Sequence, residues 1–201
     1  MTAFNADSVA LKGAGRRDRS DARKAPNRIG KVTLIVRDLD RVAAFYERAL
    51  GLERVEQYAD LVRLGTGGCV LLELRHDPGS RPRTGREAGL FHTAFLVPGR
   101  ADLGAWLAFA DKEKLSILGA SDHLVSEAIY LADPEGNGIE IYADRPSAEW
   151  PRPNGMIQMP SNPLDLRNLV DAVGGRIWRG FPTGGSIGHV HLQVGGITAR
   201  H

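Results

Sequence analysis

The sequence predicts an α+β fold in which two tandem βαβββ modules form one curved mixed sheet over residues 29–145. Three observations carry that prediction. The order strand, helix, three strands occurs twice; each helix carries a single apolar stripe; and Gly, Pro and Asp punctuate the turns between strands. A repeat on this scale is the sequence signature of one supersecondary unit used more than once.

The first module spans residues 29–76. Lys31-Val-Thr-Leu-Ile-Val36 is β-branched and apolar, bounded by Gly30 and Asp38, and reads as a strand. Val42, Phe45, Tyr46, Ala49 and Leu50 then recur at i, i+3, i+4, i+7 and i+8, the spacing of one helix face. Asp38 or Asp40 suits the helix start, and Gly51 stands where a left-handed C-terminal residue is wanted. Short strands follow near 53–57, 60–65 and 69–75, with Gly65, Gly67 and Gly68 as turn residues.

The second module, residues 89–145, repeats the order. Phe91-His-Thr-Ala-Phe-Leu-Val97 is a strand closed by Pro98-Gly99, and Leu103, Trp106, Leu107 and Ala110 form the helical stripe. Strands near 116–118, 126–132 and 138–143 complete it, with the turn Asp133-Pro-Glu-Gly-Asn-Gly138 between the last two. Lys31, His92 and His189 fall at equivalent positions of three similar strands, the third being Gly188-His-Val-His-Leu-Gln-Val194. Residues 146–187, with Pro146, Pro151, Pro153, Pro160 and Pro163, read as a Pro/Gly-rich linker holding a short helix near 164–172.

Composition excludes some classes. Of 201 residues, 42% are apolar and 25% charged, an ordinary globular balance, and the net charge of +2 is too small to argue for nucleic acid. No apolar run approaches the roughly 18 residues of a membrane span, and the N-terminus lacks the apolar core of a secretory signal, so a cytoplasmic location is expected. Residues 1–28 hold seven Lys or Arg against three Asp and read as a disordered basic leader. The single cysteine, Cys69, rules out an internal disulfide and is expected to be a buried strand residue. His76 and His123 read as surface residues.

Several motifs resemble a known family. Ile29-Gly-Lys-Val-Thr-Leu-Ile-Val-Arg-Asp-Leu-Asp-Arg-Val-Ala-Ala-Phe-Tyr46, Phe91-His-Thr-Ala-Phe95, Ser121-Asp-His-Leu-Val-Ser126 and Asp133-Pro-Glu-Gly-Asn-Gly-Ile-Glu-Ile-Tyr142 resemble the vicinal oxygen chelate superfamily of glyoxalases, bleomycin-resistance proteins and extradiol dioxygenases. With Gly188-His-Val-His-Leu-Gln-Val194 they are similar to bacterial two-domain catechol 2,3-dioxygenase-like proteins, C-terminally incomplete here. The resemblance implies metal-dependent extradiol ring cleavage of a small aromatic, catechol-type substrate, with Fe(II) or Mn(II) as cofactor in the complete protein. Such chemistry needs open positions beside two histidines and a carboxylate.

The resemblance also implies the site residues. The first-domain ligand positions fall on Lys31, His92 and Glu140, with Glu73 at the fourth position used by glyoxalase-type sites. An ammonium has three donors and no lone pair, so Lys31 cannot ligate a metal while protonated. Two readings follow: Lys31 replaces the metal as counter-charge to Glu73 and Glu140, or a weak site forms from Glu73, His92 and Glu140. His189 matches the first ligand of the second-domain site, whose other ligands would lie beyond this chain, and His191 is positioned to reach substrate or support that ligand. Residues 188–201 are thus expected to form the first strand of an incomplete second domain. That strand should build no catalytic site within one chain, and should pair with another chain or dock on the first domain's sheet. A non-catalytic small-molecule-binding or structural domain, and a glyoxalase-like lyase, are the alternatives.

Overall fold

The computed structural model describes residues 27–84 and 87–195; all but the last two residues of the basic leader lie outside them. The first module runs β1 (Val32–Val36), α1 (Leu39–Leu50), β2 (Glu53–Gln57), β3 (Leu61–Thr66) and β4 (Cys69–His76). The second runs β5 (Gly89–Leu96), α2 (Arg100–Lys112), β6 (Gly119–Asp122), β7 (Ser126–Ala132) and β8 (Gly138–Asp144). Beyond it come β9 (Asn162–Pro163), α3 (Leu166–Asp171) and β10 (Ser186–Gln193). The fold is mixed α+β, as the repeat predicts.

The repeat extends to register. The sheets are ordered β1-β4-β3-β2 and β10-β5-β8-β7-β6-β9, so each module opens with a parallel pair of its first and last strands. Thr33 pairs with Glu73 in one module and Ala94 with Glu140 in the other. Lys31 and His92 each lie two residues before those partners and are equivalent, as the sequence indicates.

The α1 helix forms for the expected reasons. Asp38 accepts a hydrogen bond from the Arg41 backbone N–H at 3.1 Å, and Gly51 adopts φ 68°, donating its N–H to the Tyr46 carbonyl. Val42, Ala43, Tyr46, Ala49 and Leu50 are fully buried, a stripe whose larger members are worth roughly 1.5–3 kcal/mol each. Two buried hydrogen bonds cross between modules, from Tyr46 to Asp133 (3.4 Å) and from Trp106 Nε1 to the Ala49 carbonyl (2.9 Å). The modules therefore share one core.

The segment read as a linker contributes to that core. Leu169, Phe181 and Ile187 are buried, Phe181 donates its N–H to the Gly51 carbonyl at 2.9 Å, and Thr66 donates to the Phe181 carbonyl at 2.8 Å. Proline content concealed this, because the three anchors are too widely spaced to form a periodic pattern. Cys69 is exposed rather than buried, since it opens β4 straight after the Gly67-Gly68 turn.

The position of β10 decides what the second sheet can build. It runs antiparallel along the free edge of β5, with an isolated bridge from Ile187 to Ile29 beside the first module. Docking on the first domain's sheet was one of the two outcomes anticipated for this strand. The two modules therefore lie in two mixed sheets, with β1 in one and β5, flanked by β10, in the other, and not in the single curved sheet expected.

Candidate metal centre

Three strands bring three ligand side chains to one point. In register, Glu140 of β8 lies opposite Ala94 of β5, and Ala94 lies opposite His189 of β10. The small Ala94 forms the floor of this row, and His92 stands two residues along β5 on the same face. Ile139 and Ile141, fully buried, point the other way into the core, which leaves Glu140 on the site face.

The ligand atoms are close. His92 Nε2 is 2.8 Å from Glu140 Oε2, His189 Nε2 is 3.1 Å from the same oxygen, and the two ring nitrogens are 3.4 Å apart. His92 and Glu140 are almost covered, whereas the His189 side chain is 42% exposed, so solvent reaches the centre from the β10 side. Burial pushes the Glu140 carboxyl up, but hydrogen bonds with His189 and His92 outweigh it and bring the pKa down to about 2. The group is a carboxylate at neutral pH.

This donor set fits a divalent metal ion. Nitrogens and oxygens each about 2.1 Å from one ion stand roughly 3.0–3.4 Å apart, close to the separations found. His92 Nδ1 is buried and makes no hydrogen bond among the described residues, so packing rather than a hydrogen bond orients that ring. Its neighbours are Phe91, Tyr130, His189 and His191, with ring centroids 4.9–5.7 Å away.

The candidates from sequence divide. His92, Glu140 and His189 meet, and among the described residues they are the group of His, Cys, Asp or Glu arranged to hold an ion. The expectation that His189 finds its co-ligands outside this chain, and that residues 188–201 build no site within one chain, is overturned. The reason is β10's place on the β5 edge. His191 is exposed and pairs in register with His92, its ring 4.9 Å from that of His92 and 5.0 Å from that of Phe91.

Glu73 does not join them. It is fully covered in the first sheet, where it accepts from Lys31 Nζ, from Arg63 Nε at 2.8 Å and from Arg75 Nε at 2.8 Å. Hydrogen bonds from Lys31 and Arg63, opposed by burial and aided by Arg75, hold its pKa at about 2. Lys31 is therefore a counter-charge, but to Glu73 and not to Glu140. The shared cluster of Glu73, His92 and Glu140 is absent among the described residues.

Two tyrosines escaped the sequence reading, and His123, expected at the surface, belongs with them. Tyr130 pairs in register with Glu140, and its hydroxyl lies 2.8 Å from His123 Nε2. His123 Nδ1 is 2.6 Å from the Pro160 carbonyl, which can only accept, so Nδ1 carries the proton and Nε2 accepts from Tyr130. His123 is thus a part-buried bridge rather than a surface residue. Tyr142, two residues after Glu140, sets its ring 5.1 Å from that of His189. Period-two counting along β8 from Glu140 points to Tyr142, whereas Tyr130 is reached only through the cross-strand register of β7 with β8. A cleft of about 510 Å³ at the start of α2 holds none of these residues, and Arg100 and Arg145 in its wall are both paired with Glu127.

Residues 28–141 match the family model described as Glyoxalase/Bleomycin resistance protein/Dioxygenase superfamily. The chain belongs to this superfamily. It is 39% identical over 171 residues to a protein named catechol-2,3-dioxygenase from Bacillus subtilis, a match covering 83% of this chain and 59% of that protein. The chain thus spans about three-fifths of the length of that relative. A solved glyoxalase/bleomycin resistance protein/dioxygenase from Alicyclobacillus acidocaldarius aligns with TM-score 0.51 at 19% identity, over 63% of this chain and 98% of the other, and supports the fold. A lactoylglutathione lyase from Agrobacterium tumefaciens aligns with TM-score 0.48 at 26% identity, over 60% of this chain and 96% of the other. No described helix is long and apolar enough to cross a membrane.

Proposed function

We propose that this chain carries a metal-dependent extradiol-type dioxygenase centre acting on a small catechol-like aromatic, with Fe(II) or Mn(II) held by His92, Glu140 and His189. The observation that carries this reading is the convergence of two imidazole nitrogens on one carboxylate oxygen. Two histidines and one carboxylate with open positions are the donor set of non-haem Fe(II) oxygenases. Held by His92, Glu140 and His189, the ion would supply the Lewis-acid and one-electron chemistry that reaction of a catechol with O₂ requires.

The chain's own residues provide the rest. Glu140 remains ionised and offsets the metal's charge. The Tyr130 hydroxyl, hydrogen-bonded to His123 Nε2, can hold or pass a proton beside the centre. Phe91, Tyr130 and His191 set rings around the ligands, a lining suited to a flat aromatic. The 2.8 Å contact of His92 with Glu140 keeps those two donors aligned, and the half-exposed His189 side leaves substrate a route in. The exclusion of Glu73 from the centre weighs against a four-ligand, lyase-type site.

The test is anaerobic reconstitution of the full chain with Fe(II) or Mn(II). Metal analysis should give one ion per chain. Catechol with O₂ should yield the yellow ring-cleaved product, and His92→Ala should abolish both readouts. Stoichiometric metal without ring cleavage of any catechol would leave the centre standing and refute the dioxygenase reading; no metal binding would refute both.

A further inference from the structure

We propose that Tyr142 is a positioning residue for the ligand His189, acting through the backbone of Gly188. The proposal rests on the metal-centre reading above and concerns how its most exposed ligand is aimed.

β10 reaches the centre on an irregular ladder. Its pairing with β5 shifts between Ile187 and His189, leaving Gly188 without a strand partner, and shifts again between His191 and Leu192. One extra residue on one strand is a β-bulge, which turns the following side chain. The residue that follows is His189. The strand therefore does not reach the ligand position by regular pairing alone.

Gly188 shows what supports the bulge. A Cβ built there would lie 1.8 Å from the Tyr142 hydroxyl oxygen, 2.7 Å from Cζ and 2.9 Å from Cε1. The β10 backbone rests directly on the phenol, and no larger residue leaves room for that contact. The demand is steric, because no left-handed backbone angle is involved.

Tyr142 is a fixed support. It is 4% exposed, packs with Ala94, Leu96 and Ala128, and sits two residues from Glu140 on the same strand face. Its ring also contacts the His189 ring, at 5.1 Å and 61°. One side chain on β8 thus sets both the height of the β10 backbone and the lean of the imidazole. The reference point is the strand that carries the carboxylate. His92 and Glu140 need no such device, since regular parallel pairing already fixes β5 against β8.

The test compares wild type, Gly188→Ala, Tyr142→Leu and the double variant. Co(II) titration followed by its visible ligand-field bands reads the ligand set, and hydrogen exchange of β10 in metal-free protein reads strand docking. Gly188→Ala should weaken Co(II) binding at least tenfold, give the spectrum of His189→Ala, and speed exchange in β10. Tyr142→Leu alone should weaken Co(II) binding several-fold with β10 still docked; in the Gly188→Ala background it removes the clashing atoms and should restore β10 protection, with affinity recovering only to the level of Tyr142→Leu. A general loss of stability predicts no such rescue. Wild-type Co(II) binding in Gly188→Ala, or a double variant no better than Gly188→Ala, would overturn the proposal. Absence of Co(II) binding by the wild type would sink the metal-centre reading, and rescue in the exchange arm would still decide whether Tyr142 sets β10.

Discussion

Replacing Glu73 with Gln separates two roles that the sequence left joined. Glu73 is the carboxylate of the first sheet, gripped by Lys31, Arg63 and Arg75, with its pKa lowered from 4.5 to about 2. A pKa depressed in the folded state adds stability that is fully present above about pH 4.5 and is lost as pH falls towards 2. At about 1.4 kcal/mol per unit the ceiling is roughly 3 kcal/mol. Lys31 and Arg75 are 42% and 60% exposed, so solvent screening brings the expected contribution to about 1–2 kcal/mol. Urea unfolding should show Glu73→Gln less stable by that amount at pH 7, with the difference vanishing near pH 2. Carboxylates shared by both proteins cancel in the comparison. Metal titration of the same variant should match wild type, because Glu73 takes no part in the centre. A variant that loses metal binding, or a stability difference that persists unchanged to pH 2, would refute the assignment of Glu73 to a charge cluster.

Two further outcomes are expected. His189→Ala should lower metal affinity about a hundredfold and cut the stabilisation conferred by metal at a hundred times the wild-type Kd from roughly 2.7 to about 0.4 kcal/mol, read as the metal-induced rise in Tm. Leu169→Ala should cost about 2–4 kcal/mol by urea unfolding, because its fully buried side chain would leave a cavity against α2; a change under 0.5 kcal/mol would mean that α3 is a spacer after all.

The fold was legible because its signals are local and occur twice. Alternating apolar residues, helical stripes and turn glycines lie within about 50 residues, and the second copy of the pattern confirms the first. Equivalence of Lys31 and His92 followed from that repeat and holds in the strand register. The destination of β10 was not legible. Its residues state only that it is a strand, and the edge it takes depends on where Leu169, Phe181 and Ile187 anchor the preceding segment. His123 was misjudged for a similar reason: its partners, Tyr130 and Pro160, approach only when β7 and the residues before β9 come together.

The two modules show how one backbone yields opposite electrostatic outcomes. Each places a carboxylate at the same register position, Glu73 or Glu140, on the face opposite its helix. A covered carboxylate needs partners, since burying it bare is costly. In the first module those partners are an ammonium and two guanidinium groups, which donate hydrogen bonds and offer no lone pair. They neutralise Glu73 and close its position to metal. In the second module the equivalent residue is His92, and the neighbouring edge receives His189 from β10. Both are imidazoles, whose neutral forms present a lone pair. The carboxylate is satisfied in either case, but only the second arrangement can exchange its hydrogen bonds for bonds to a metal ion. Which module becomes a centre is therefore set by one residue, lysine or histidine at the start of the first strand, together with the edge on which β10 settles.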